Sequence, residues 1–124
     1  MNLPKGYQTV MPYLILNDVA AFINFAKEVF GAVELAVYKN DDGSIMHGEI
    51  QIGGSTIMMG QSNEDWTTQN AGLYINVENA DDTFRKAIDQ GATVIMPVEN
   101  KDYGRTSGVK DPHGNTWWIT QNLM

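Results

Sequence analysis

The spacing with most chemical content in this 124-residue chain is His47-x-Glu49. Two positions apart in a segment that reads as a strand, the two side chains project from one face, and Gly48, Ile50 and Ile52 take the other. An imidazole titrates near neutral pH, and a neighbouring carboxylate can hold it in one orientation. The pair therefore has the makings of a general base. It equally suits part of a metal site, or an inert hydrogen-bonded pair on the wet face of a strand. Both side chains are expected to point into a cavity. Trp117-Trp118 places adjacent indoles on opposite faces of a strand, with Trp118 assigned to the cavity and Trp117 to the helix layer. Tyr13 shares a face with Met11, and Tyr74 shares one with Gly72 and Asn76, so both tyrosines should line the same pocket.

Other polar groups read more blandly. His113 sits in Asp111-Pro112-His113-Gly114, a tight turn whose side chains face water, and no catalytic role is expected of it. Arg105 follows Tyr103-Gly104 near a predicted strand, where a surface ion pair is favoured over contact with an anion. Trp66 stands in a hydrophilic stretch, and an indole there is expected to dock onto the domain or cover the pocket. Met46, Met58, Met59 and Met96 fill core gaps and hint at an adaptable pocket wall.

These groups must be positioned by a small acidic chain. Its net charge of −7 opposes a phosphate backbone, and no Lys/Arg stripe offsets it, so nucleic acid is not an expected partner. No cysteine is present, which excludes disulfides, thiolate nucleophiles and Cys-type zinc sites. No apolar run approaches the roughly 18 residues that span a bilayer, and the start of the chain lacks a secretory pattern. A cytoplasmic location without membrane association is the expectation.

Slid by sixty residues, Gly31-Ala32, Asn40, Asp42, Gly48, Gly54 and Thr56 fall on Gly91-Ala92, Asn100, Asp102, Gly108, Gly114 and Thr116. Glycines and turn residues fix where a backbone bends, so the two halves share a path. Thr9 to Leu16 reads as a strand kept at an edge by Pro12. Asp18 to Phe30 carries Val19, Phe22, Ile23, Ala26, Val29 and Phe30 at helical spacing, capped by Asn17 or Asp18 and closed by Gly31. Val33 to Lys39, Ile45 to Ile52 and Thr56 to Gly60 form a meander. After a polar connector at 61–70 the order recurs: Leu73 to Val77, a helix through Ala80, Phe84, Ala87 and Ile88, then Thr93 to Val98, Thr106 to Lys110 and Thr116 to Thr120. The predicted fold is one α+β domain of two β-α-β-β-β repeats, at about 9–60 and 71–121, sharing one core because each half alone would be marginal.

Three stretches, GYQTVMPYLILNDVAAFINFAKEVFGA, MHGEIQIGGSTIMM and YGRTSGVKDPHGNTWWITQ, resemble the vicinal oxygen chelate superfamily of glyoxalase I, bleomycin-resistance proteins and extradiol dioxygenases, in particular its PhnB-like branch. The resemblance implies two modules curled into an incomplete barrel around a cavity. It also implies a metal held by one side chain from the first and last strand of each module. Those positions fall on Met11, Met58, Gly72 and Trp118, none of them His, Asp or Glu, and a thioether is a poor donor for the metals such enzymes use. The expectation is a metal-free, cofactor-free protein that binds a small molecule through Tyr13, Met58, Tyr74, Trp118, His47 and Glu49. The alternatives are an isomerase, lyase or dioxygenase-like enzyme using His47 and Glu49 or a displaced metal, and a scaffold whose cavity has closed. A homodimer is expected, because open half-barrels leave sheet edges that need cover.

Overall fold

The computed structural model describes residues 1–123. They form two compact units, the first spanning Met1–Asn70 and the second beginning at Ala71. The first unit contains β1 (Tyr13–Leu16), α1 (Val19–Phe30), β2 (Val33–Lys39), β3 (Ile45–Ile52) and β4 (Ser55–Gln61). The second contains β5 (Gly72–Asn76), α2 (Ala80–Asp89), β6 (Thr93–Lys101), β7 (Gly104–Lys110) and β8 (Thr116–Asn122). The α+β class and the duplicated order are those read from the sequence. Each sheet is open, four-stranded and mixed, ordered β1-β4-β3-β2 and β5-β8-β7-β6.

The topology follows from the connections. A helix after β1 carries the chain back so that β1 lies parallel to β4, and short turns make the remaining pairs antiparallel. β1 is therefore an edge strand, as Pro12 requires, and it starts at Tyr13 rather than Thr9. The Pro12 carbonyl still accepts from the Met58 N–H at 3.0 Å.

α1 is capped by Asp18, whose carboxylate accepts the Ala21 N–H at 3.0 Å, and it stops at Gly31. Its buried face is Val19, Phe22, Ile23, Phe25, Ala26 and Val29. Phe25 is buried where Phe30 was expected, and the two rings meet edge-on with centroids 6.1 Å apart. Each large apolar side chain sealed this way contributes about 1.5–3 kcal/mol. α2 is thinner. Asn79 caps it, and only Ala80 and Ala87 are buried, so Val109, Trp117 and Ile119 of its sheet supply most of the bulk.

A shared device fixes where each helix begins. Gln61 at the end of β4 accepts the Val19 N–H at 3.2 Å, and Gln121 near the end of β8 accepts the Ala80 N–H at 3.0 Å. These glutamines are sixty residues apart and mark the helix-facing side of β4 and β8. The same offset fails one strand earlier. Glu49 pairs with Met58 while Gly108 pairs with Trp118, so β7 matches β3 at an offset of fifty-nine. Gly48 faces α1 beside Ile23, whereas Gly108 lies on the opposite face under Trp118. The cause is the hairpin: two residues separate Ile52 from Ser55, and five separate Lys110 from Thr116. The Gly48/Gly108 match in the sequence is thus not a structural equivalence.

The connector at 61–70 is not free of the first sheet. Gln69 exchanges both backbone hydrogen bonds with Ile15, at 2.9 and 3.1 Å, along the open edge of β1. Among the described residues no helix is long and apolar enough to cross a membrane.

Candidate functional site

The face of the first sheet turned away from α1 carries Tyr13, Met58, His47 and Glu49, set by the register Tyr13↔Met58, Met58↔Glu49 and Gly60↔His47. A side chain on β1 would ordinarily be kept from β3 by the strand between them. Here the intervening residue is Gly60. A methyl group on its Cα would sit 3.0 Å from the Tyr13 hydroxyl, and in its absence the phenol crosses β4 to reach His47. The Tyr13 hydroxyl lies 3.1 Å from His47 Nδ1, with the ring centroids 5.6 Å apart. Tyr38 of β2 flanks the imidazole on its other side, also at 5.6 Å between centroids.

His47 Nε2 lies 2.9 Å from Glu49 Oε2. Glu49 also accepts the Tyr7 hydroxyl at 2.8 and 2.9 Å to its two oxygens. Donation to Glu49 raises the Tyr7 pKa above the ordinary tyrosine value, and burial and the Glu49 charge add to the effect. Tyr7 therefore stays a donor at neutral pH. An ionised carboxylate only accepts, so the hydrogen between His47 and Glu49 belongs to Nε2. In the neutral imidazole Nδ1 is then bare, and it accepts the Tyr13 O–H. With a neutral imidazole the chain is directed, Tyr13 to His47 to Glu49, with Tyr7 closing its far end.

Tyr7 arrives on a segment that the sequence reading left unassigned. The Gly6 carbonyl accepts from the Gln51 amide and the Thr56 hydroxyl, while Gln8 bonds the Thr56 N–H at 3.1 Å and the Gly54 carbonyl at 3.2 Å. This strap lies across the ends of β3 and β4 and seals Glu49, which is 4% exposed. The arrangement gives His47 and Glu49 different surroundings. His47 lines a pocket, and Glu49 lies behind it under the strap. A tyrosine forty-two residues away in sequence, in a segment without periodicity, gave no signal of this.

The pocket has a volume of about 660 Å³ and is lined by Tyr13, Ile15, Met46, His47, Gly60, Gln61, Asn63 and Trp66. That size suits a small organic ligand. Trp66, expected to cover a pocket, is one of its walls while remaining 64% exposed. Its loop is pinned by Asn63, whose side-chain Oδ1 accepts the N–H groups of Asp65 and Trp66 at 2.9 and 2.8 Å. No lysine, arginine, aspartate or glutamate lines the pocket.

The other candidates are not among the residues lining this pocket. Met58 sits between Tyr13 and Glu49 in the register but is not part of the pocket wall. Tyr74 and Trp118 pair with each other in the second unit, and Trp118 lies flat over Gly108, where a methyl group would come within 2.4 Å of the ring. Trp117 is buried on the opposite face, its indole N–H donating to Asp111 at 2.8 Å. Asp111 also accepts the His113 and Asn115 N–H groups and the Asn115 amide, so the turn holding His113 is organised by a buried carboxylate. Arg105 forms a two-pronged pair with Asp81, at 2.7 and 3.0 Å, which lowers the Asp81 pKa chiefly through that hydrogen bond.

The four positions implied for a metal hold Met11, Met58, Gly72 and Trp118. They offer thioethers, a hydrogen and an indole, and among the described residues no three His, Cys, Asp or Glu side chains come together to hold an ion. This donor set does not fit the zinc, nickel or iron chemistry associated with the fold.

Comparison with known proteins agrees with the fold and places the chain. Residues 8–119 match the family model of the glyoxalase/bleomycin resistance protein/dioxygenase superfamily. An uncharacterised protein of Mycobacterium bovis is 30% identical over 122 residues, covering 89% of this chain and 80% of the relative. Among solved structures, TioX from Micromonospora sp. ML1 superposes with a TM-score of 0.77 at 22% identity, over 94% of this chain and 100% of that one. A Bacillus cereus PhnB protein, described as a putative 3-demethylubiquinone-9 3-methyltransferase, gives 0.72 at 19% identity, over 92% and 99%. The chain belongs to the glyoxalase/bleomycin resistance protein/dioxygenase superfamily.

Proposed function

Proceeding from that membership, we propose that the chain is a metal-free small-molecule binding protein of the PhnB-like kind, with its ligand held in the pocket of the first unit. The observation that carries this reading is the pocket itself, an apolar and aromatic concavity whose polar end is the hydroxyl of Tyr13, oriented by His47. Small-molecule sites combine such walls with a few well-placed polar groups. Trp66 and Tyr13 supply flat faces for stacking and Met46 an adaptable wall, and among the described residues no three His, Asp or Glu side chains cluster to hold a metal on which an enediolate could be stabilised.

A second reading is favoured by one detail. Both ring nitrogens of His47 are engaged within the protein, so the group that can exchange a proton with a bound molecule is the Tyr13 hydroxyl, backed by His47 and Glu49. This is an acid–base arrangement, and it would make the chain an isomerase or lyase that works without metal.

A thermal-shift screen of divalent metals and small aromatic metabolites separates these readings, since whatever binds only the native state raises its melting temperature. Organic hits weakened by Trp66→Ala, with no shift from zinc, nickel or manganese, are the expected result. Shifts from metals alone would sink the proposal, and turnover of a hit that Tyr13→Phe abolishes would establish the second reading. The proposal extends to a homodimer, because the edge strands β2 and β6 leave Val33, Leu35, Val94 and Ile95 exposed. A monomer mass by light scattering would end that part of it.

A further inference from the structure

We infer that the pocket of the first unit selects ligands that donate a hydrogen bond: flat, apolar molecules bearing an uncharged N–H or O–H, and not carboxylates or phosphates. The inference rests on the binding reading above and names its ligand class.

It follows from the direction of the hydrogens. Glu49 is acceptor-only and takes hydrogens from Tyr7 and from His47 Nε2. With the imidazole neutral, its bare Nδ1 commits the Tyr13 hydrogen. What Tyr13 presents to the pocket is then the remaining lone-pair side of its oxygen, an acceptor. Gln61 is held toward the start of α1, where one of its two amide hydrogens goes to the Asn17 carbonyl and its oxygen accepts from Val19. Asn63 spends its oxygen on Asp65 and Trp66, so its N–H groups can meet an acceptor at the rim. An anion brought against Tyr13 would face an oxygen lone pair with the Glu49 carboxylate behind it and no cation in the wall. A donor would complete the chain in the same direction, each hydrogen bond polarising the next.

Matched probes test this at pH 8. Indole is set against benzofuran, phenol against anisole, and benzoate is the anionic probe, with affinities from protein-observed NMR titration followed at the Trp66 indole N–H. Indole and phenol should bind about tenfold or more tightly than their partners, and benzoate should not saturate. Tyr13→Phe keeps the ring and removes the acceptor. It should bring each pair to within about twofold by weakening the donors while leaving benzofuran unchanged. Equal affinity of indole and benzofuran for the native protein, tight binding of benzoate, or discrimination that survives Tyr13→Phe would each overturn the inference while leaving the pocket in place. If none of the five probes perturbs the Trp66 signal at millimolar concentration, the binding reading itself fails.

Discussion

Among the described residues each unit buries one carboxylate, Glu49 in the first and Asp111 in the second, both 4% exposed, and they are wired to different ends. Asp111 is surrounded by hydrogens of its own turn and of Trp117, groups that do not titrate in the physiological range and that hold a loop on a strand. Glu49 is joined to a histidine and a tyrosine, and through the histidine to a second tyrosine on a pocket wall. Burial alone does not distinguish the two. What distinguishes them is whether the hydrogen-bond chain ends inside the fold or at a surface a ligand can reach.

The glycines on the open faces repeat the contrast. In the first unit the space at Gly60 on β4 lets Tyr13 cross from β1 to β3. In the second the space at Gly108 on β7 lets Trp118 of β8 lie down over its neighbour. By register Gly108 occupies the place of Glu49, Trp118 that of Met58 and Tyr74 that of Tyr13. His47 pairs with Gly60, and its counterpart Thr106 pairs with Thr120, their hydroxyls joined at 2.8 Å. One lattice of positions thus carries a polar relay in one unit and an aromatic lid over a glycine in the other.

The largest effect should separate the carboxylates. Asp111→Ala strands three buried donors, on Trp117 and Asn115, and should cost about 3–5 kcal/mol in urea unfolding while leaving probe discrimination in the first unit intact. Glu49→Ala strands His47 and Tyr7 nearer to water and should cost about 1–3 kcal/mol, yet abolish the preference for donors. Equal costs, or a loss of discrimination in the Asp111 variant, would erase the distinction.

A smaller effect is expected at the glycines. Gly108→Ala places a methyl group inside the Trp118 ring and should destabilise by about 1–3 kcal/mol through overpacking. Gly60→Ala meets only the tip of a flexible tyrosine and should cost less than about 1 kcal/mol, while pushing the Tyr13 hydroxyl off His47. The pair of melting curves, read with the indole and benzofuran titrations, decides whether Gly60 serves stability or the relay.

The smallest effect belongs to Arg105→Ala. The Asp81 pKa is lowered by Arg105, so the stabilisation is present above the ordinary carboxylate pKa of about 3.9 and disappears as pH falls through the lowered folded value. Because both partners are more than a third exposed, the melting temperatures of native and variant proteins should differ slightly at pH 7 in low salt. They should converge in strong acid or high salt. A difference that persists in acid would mean the arginine contributes by packing.

Much of the fold was legible because its signals are local. The i, i+3, i+4 spacing from Val19 to Val29, the cap at Asp18 and the stop at Gly31 are read within one helix turn of where they act, and β2 and β3 have the predicted limits. The strand face of His47, Gly48 and Glu49 was legible for the same reason. The exchange of Phe25 for Phe30 in the core was not, since which side of an apolar stripe is covered depends on the sheet beneath it.

The sequence by itself determined the two-fold β-α-β-β-β path, the edge position of β1 and the pairing of His47 with Glu49 on one face, because period, capping and turn chemistry act over a few residues. Only the tertiary structure decided that Glu49 is sealed by Tyr7, that Tyr13 reaches His47 across Gly60, and that Gly48 and Gly108 face opposite ways. Each of these depends on which strands lie side by side and in what register, and a hairpin three residues longer is enough to turn a strand over.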